Sequence, residues 1–303
     1  MSEITRRDWL SAALATTLTA PGAAAPPVRL PLGFSLYGMR SLPLPDALEV
    51  CKRCGYDGVE LALMPGYHAA PANLTPADVK ALTKRLSEAK LSVLGLMENL
   101  PALGDAATHR SNLDRLKSAA DLACALVPDR PPPIETVLGG KPTDWGKVKD
   151  RLAERLADWA AVGRERKTVI AVKPHVAHAL HAVADAVWLV KQVASEWIRL
   201  AFDFSHFELR GVMIEDAVKE LAPLSVFAHV KDAKGTPEKF EFLLPGDGAT
   251  DYPKLAKLLR DAKFTGPVVV EVSSQVSNKP GYDPASAAKS SFRAVSAAFG
   301  NRD

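Results

Sequence analysis

Four apolar runs in the second half of this sequence each close on a residue that can move a proton or hold a charge. Val169-Ile170-Ala171-Val172 ends at Lys173, with Pro174-His175 after it, and Leu200-Ala201-Phe202 ends at Asp203. Phe227-Ala228 leads to His229, with Lys231-Asp232 just beyond, and Val268-Val269-Val270 ends at Glu271. Earlier, Val59-Glu60-Leu61 and Met97-Glu98-Asn99 close apolar runs with carboxylates. A charged group in a dry apolar setting is costly unless it is paired or bound to a metal. One such residue could be an accident of register; four on consecutive runs argue for a single polar site. The set suits proton transfer, with Glu271 as base and Lys173 and His229 as acids or as support for a developing oxyanion. Lys173 beside His229 could also have a lowered proton affinity and act as a base or Schiff-base amine. Arg40, Lys231 and Glu60 are reasonable contacts for substrate hydroxyl or carboxylate groups.

These residues need elements to hold them at one level. The apolar runs Leu32–Tyr37, Gly58–Leu63, Ser92–Met97, Pro133–Leu138, Thr168–Lys173, Ile198–Asp203, Ser225–Val230 and Pro267–Val272 predict eight strands. Their near-continuous apolarity suits parallel strands covered on both faces. Between them lie helical stretches with start signals: Thr75-Pro76 before Ala77–Ala89, Thr143-Asp144 before Trp145–Arg166, and Asp251-Tyr252-Pro253 before Lys254–Ala262. Pro284–Phe299 predicts a last helix. Eight strand–helix units predict a closed (β/α)8 barrel, whose chemistry sits at the strand C-termini. An open doubly wound sheet would carry a Gly-rich fingerprint after its first strand, and nothing after Leu32–Tyr37 matches one. No Pro/Ser-rich linker divides the chain, so residues 26–303 read as one α/β domain.

The N-terminus follows other rules. Arg6-Arg7 precedes a short run of small and apolar residues, Ser11 to Ala20, and then Ala23-Ala24-Ala25. Charged start, apolar run and small-residue cleavage site read as an export leader over residues 1–25, with the arginine pair of the twin-arginine route. The expected location is periplasmic or secreted, and the apolar run is too short for a stable membrane span. Among 303 residues, 38 basic and 35 acidic side chains give a net charge of +3 without a basic stripe, which excludes nucleic acid as an implied partner. Three cysteines lack the spacing of a metal site and read as inert thiols. The sequence is compatible with a homo-oligomer and does not set the oligomeric state.

Specific motifs narrow the reading. Gly55-Tyr56-Asp57-Gly58-Val59-Glu60-Leu61, His229-Val230-Lys231-Asp232 and Leu244-Pro245-Gly246-Asp247-Gly248 resemble the xylose isomerase-like family of sugar isomerases, sugar epimerases and endonuclease IV-like barrels. Tyr252 with Gly266-Pro267-Val268-Val269-Val270-Glu271 adds to the likeness, which runs from Leu32 to Phe299. The resemblance implies a divalent metal held by four ligands at positions 173, 203, 229 and 271, and a substrate contact from His206. One position departs from it: Lys173 stands where the family has Glu. An ammonium has no lone pair to ligate a cation and repels one. The cofactor is therefore expected to be none, or Mn, Mg or Zn held weakly by Asp203, His229 and Glu271, with His175 or water completing the shell.

The implied function is an isomerase- or epimerase-like enzyme moving a proton next to a carbonyl on a sugar or keto-sugar. A lyase acting on keto-glycosides and a non-catalytic sugar-binding barrel are the alternatives. His175, His178 and His181, three residues apart, could share a helical face, with the latter two solvated.

Overall fold

In the computed structural model of the chain, residues 29–300 are described. The expected leader, residues 1–25, lies outside them. Eight strands form the barrel: β1 (Leu32–Ser35), β2 (Gly58–Ala62), β3 (Ser92–Met97), β4 (Ile134–Thr136), β5 (Ile170–Val172), β6 (Ile198–Asp203), β7 (Ser225–Val230) and, after the hairpin strands β8 (Asp232–Thr236) and β9 (Lys239–Leu243), β10 (Val268–Val270). All barrel pairings are parallel, and β10 closes the ring against β1. Every predicted strand is present, most of them shorter at one or both ends than the apolar run that announced it.

Helices cover the outside, and their ends are fixed by the residues that announced them. Thr75 and Asp78 bond reciprocally at the start of Pro76–Ala89, satisfying backbone N–H groups that the first turn leaves open. Asp251 and Asp283 cap Tyr252–Asp261 and Pro284–Phe299 by accepting from Lys254 N and Ser286 N. Asp144 instead accepts from Lys141 N at 3.1 Å and closes the turn before Trp145–Arg166. Cys51, Cys54 and Cys124 are free thiols, and burial pushes the Cys51 thiol far up, so it stays protonated. No helix among the described residues is long and apolar enough to cross a membrane.

Inside the barrel the strands build two levels. Side chains two residues apart on a strand share a face. Ala171, Ala201, Phe227 and Val269 form a buried apolar cluster at the lower level. Two residues further along the same strands stand Lys173, Asp203, His229 and Glu271, all buried. Glycines make room below: a Cβ on Gly95 would sit 2.6 Å from the Phe227 ring. That ring in turn meets the His229 imidazole edge-on, with centroids 4.8 Å apart. Gly95→Ala is therefore expected to cost about 1–3 kcal/mol, the usual cost of overpacking a filled core. A lowered urea midpoint at unchanged m-value is the check; an unchanged midpoint would refute the packing argument.

Candidate active site

Lys173 is the first residue past β5, and its Nζ reaches across the barrel mouth. It donates to Glu271 Oε2 at 2.9 Å, lies 3.1 Å from His229 Nδ1, and lies 3.3 Å from Glu135 Oε1. Lys231, one residue past β7, donates to Asp203 Oδ2 and, at 2.7 Å, to the same Glu271 Oε2. Two ammonium groups thus meet on one carboxylate oxygen. Beneath them His229 Nε2 lies 3.1 Å from Glu60 Oε2. In its neutral form His229 accepts from Lys173 at Nδ1 and carries its proton on Nε2, directed at Glu60.

Asp203 begins the short helix Phe204–Glu208 and accepts from Ser205 Oγ at 2.7 Å. His206, one turn on, places Nε2 3.3 Å from Asp203 Oδ2, while its Nδ1 accepts from Val176 N. His175 stacks on His178 and meets His206 at a tilt of 44°, with centroids 4.2 Å apart in each pair. Its Nδ1 accepts from Ala177 N, which leaves the proton on Nε2. The hairpin β8–β9 brings Phe242 over the Lys231 ammonium, 4.8 Å from ring centroid to Nζ. Asp232 anchors that hairpin by accepting from Gly246 N, Gly248 N and Tyr252 Oη.

The charges settle accordingly. Burial alone would lower the Lys173 ammonium, but Glu135, Glu271 and Asp203 outweigh it and hold it above the ordinary lysine value. The surrounding carboxylates thus favour the ammonium form of Lys173, opposite in direction to the lowered proton affinity expected of a base or Schiff-base amine. Burial would likewise raise Glu271 and Asp203; instead Lys173 and Lys231 hold Glu271, and Lys231 and His206 hold Asp203, well below the carboxylate range. Glu271 is thus a poor base. Glu135 differs: burial raises it to about 7, against the opposing pull of Lys173 and His229. Burial brings His206 down to about 4, so it is neutral at pH 7. His229 goes up, because Glu60 and Glu271 more than offset its burial.

A pocket of about 200 Å³ opens above this layer, and Lys173, Lys231, Glu135, Glu271, His175 and His206 line it. Asp203, His229 and Glu60 lie underneath. Arg40 does not reach the pocket. It follows the 3-10 turn Leu36–Met39, donates to Gly66 O at 3.2 Å and lies over Tyr67. His178 lines the pocket rather than facing solvent from a helix, because the segment after Pro174 turns back on itself, with His175 N donating to Leu180 O. Glu135 went unread in the sequence, although it is a charged residue inside an apolar strand like the others.

Asp203, His229 and Glu271 can bring ligand atoms within 4.8 Å of one another. Yet ammonium groups already stand among these three side chains: Lys231 bridges Asp203 Oδ2 and Glu271 Oε2, and Lys173 bridges Glu271 Oε2 and His229 Nδ1. Each ammonium would repel such an ion by several kcal/mol at these separations. The residues present do not fit a resident divalent metal.

Residues 48–296 match the family model described as xylose isomerase-like TIM barrel. The chain belongs to that family. No curated protein matches it in sequence. Solved structures of xylose isomerase-like barrels share the fold at low identity. An IolI protein with a bound zinc atom is 19% identical, covers 89% of this chain and 100% of its own, and superposes with a TM-score of 0.74. The 3-keto-D-glucoside 4-epimerase YcjR from E. coli, in its apo form, is 16% identical over 88% of this chain and 98% of its own, with a TM-score of 0.68. A probable 3-DHS dehydratase, AsbF from Bacillus anthracis, is 15% identical over 90% and 99%, with a TM-score of 0.72.

Proposed function

We propose that this member of the xylose isomerase-like barrels is a sugar-modifying enzyme that moves a proton at the carbon next to a carbonyl, with lysine ammonium groups in place of a metal. The observation that carries the reading is the meeting of Lys173 and Lys231 on Glu271 Oε2, with Glu135 beside Lys173 at the pocket floor. A keto-sugar carbonyl placed against these ammonium groups gains what a cation would give it: stabilisation of the negative charge that develops on oxygen. Glu135, ionised in part at neutral pH, takes the neighbouring C–H proton. The C–H electron pair forms the C=C bond of an enediolate, and the carbonyl π pair moves onto oxygen. Delivery of the proton to the former carbonyl carbon, with the carbonyl re-formed at the neighbouring oxygen, gives an isomer; delivery to the opposite face of the original carbon gives an epimer; loss of a leaving group from the next carbon gives a lyase product. Glu271, Asp203, His229 and Glu60 act beneath as the counter-charges that fix both lysines. His175 offers a neutral imidazole to substrate hydroxyls, His206 stands behind it on Asp203, and the leader expected over residues 1–25 is the reason for placing the enzyme's work in the periplasm.

The experiment is solvent exchange. Purified protein incubated with a panel of ketoses and keto-glycosides in D₂O should incorporate deuterium at a carbon next to the carbonyl, as read by NMR. No exchange across the panel would sink the reading and leave a sugar-binding barrel. Dialysis against EDTA is expected to leave the exchange rate unchanged, and metal analysis to find no stoichiometric Mn, Mg or Zn. Loss of exchange on chelation with recovery on Mn²⁺ would overturn the metal-free mechanism.

A further inference from the structure

The pocket over Lys173 is too small to be the whole binding site. At about 200 Å³ it falls below the roughly 300–1,000 Å³ usual for small-molecule sites. A second cleft of about 440 Å³ lies against it, and the two share Tyr37 and Ser274 as common walls. The cleft is built from three separate loop regions: Tyr37 to Ser41 after β1, Tyr67 after β2, and Ser274 to Tyr282 after β10. Its aromatic wall is a pair, Tyr37 and Tyr67, with centroids 5.5 Å apart and planes 18° from parallel. Arg40 lies 5.2 Å from the Tyr67 centroid, held there by its Nε bond to Gly66 O, and its remaining N–H groups stay available. Tyr282 is fixed opposite by donating to Gly38 O at 2.9 Å.

This composition has a chemical meaning. Flat aromatic faces receive the C–H face of a sugar ring, while guanidinium, hydroxyl and amide groups at the edge bond to its hydroxyls. There is no carboxylate or second basic residue among the lining residues, so nothing selects for a charged ligand beyond Arg40. The shared walls mean that a molecule seated in the inner pocket continues directly into the cleft.

We infer that the Tyr37–Arg40–Tyr67 cleft is a second sugar subsite, and that the substrate is a glycoside whose keto-sugar ring lies over Lys173 while its second ring lies against the tyrosine pair. The inference rests on the proton-transfer reading for the inner ring and adds the substrate class. Arg40 then serves the substrate, at one ring's remove from the chemistry.

Titration calorimetry with glucose, maltose, cellobiose, sucrose and trehalose tests it on the full protein. At least one disaccharide is expected to bind about tenfold more tightly than glucose, a difference of about 1.4 kcal/mol. Tyr67→Ala and Arg40→Ala should each bring that affinity ratio back towards one, and Tyr67→Phe should keep most of it. Because Arg40 is exposed, its substitution is informative even if Tyr67→Ala folds poorly. A panel in which no disaccharide exceeds glucose, or an advantage that survives both alanine substitutions, overturns the subsite. Deuterium exchange on keto-monosaccharides reports separately on the inner pocket. Exchange without a disaccharide advantage removes the cleft alone; a disaccharide advantage without exchange removes proton transfer alone.

Discussion

Glu135→Gln is expected to lower turnover by about 10²- to 10⁴-fold, the usual contribution of a positioned acid–base group, while substrate affinity changes little. The amide keeps the shape of the side chain at the pocket floor and removes its proton chemistry. In the unaltered enzyme the rate should climb with pH through about 7, because Glu135 takes the substrate proton only when ionised. A pH–rate profile with a rising limb near 7, absent from whatever activity Glu135→Gln retains, is the measurement; a limb that persists in the variant assigns the base elsewhere. Stability gives an independent readout. Folding raises the Glu135 carboxyl from 4.5 to about 7, so the stability linked to it is complete below about 4.5 and is lost as pH rises through about 7. The cost approaches roughly 3 kcal/mol at alkaline pH, at 1.36 kcal/mol per unit. The melting temperature of Glu135→Gln should therefore fall less between pH 5 and pH 9 than that of the parent.

Lys173→Met should be the most damaging single change to the fold. Removing one partner of a buried ion pair costs about 3–5 kcal/mol, because the remaining charges keep their desolvation penalty. Here Glu271, Glu135 and His229 all lose the same contact, and Lys231 alone stays to hold the carboxylates. For a chain of this size the melting temperature should drop by roughly 10 °C, with exchange activity lost. A melting temperature within a degree or two of the parent would show that the pairs around Lys173 contribute nothing net. The same substitution frees lone pairs on His229 and Glu271, so added Zn²⁺ should recover part of the lost stability in Lys173→Met and none in the parent.

Much of this layout could be read before any coordinates. The strands announced themselves because parallel barrel strands are apolar on both faces, and Lys173, Asp203 and Glu271 stood out by ending such runs. Glu135 escaped for a physical reason. Its run was taken from Pro133 to Leu138, so the carboxylate fell in the middle, whereas β4 spans only Ile134–Thr136 and Glu135 already stands at the level of the other charges. Stepping in twos along each strand, as from Ala171 to Lys173, is the rule that would have found it. The hairpin Asp232–Leu243 was hidden by Lys234-Gly235-Thr236-Pro237-Glu238-Lys239, which reads as a polar loop and supplies no alternating pattern. The spacing of His175, His178 and His181 suggested a helical face, but spacing cannot distinguish a helix from the turns that Pro174 initiates. Arg40 stands after the first strand as expected; the 3-10 turn at Leu36–Met39 then carries it away from the barrel axis.

The meeting of Lys173 and Lys231 on a single Glu271 oxygen has a consequence for supply. A site completed by an ion from solution exists in loaded and empty forms, competes for its metal and can be filled with the wrong one. Here the positive charge is translated with the polypeptide. On the metal-free mechanism proposed above, the protein is complete as soon as its barrel closes, owes nothing to the metals of its surroundings, and has no empty form for a chelator to create.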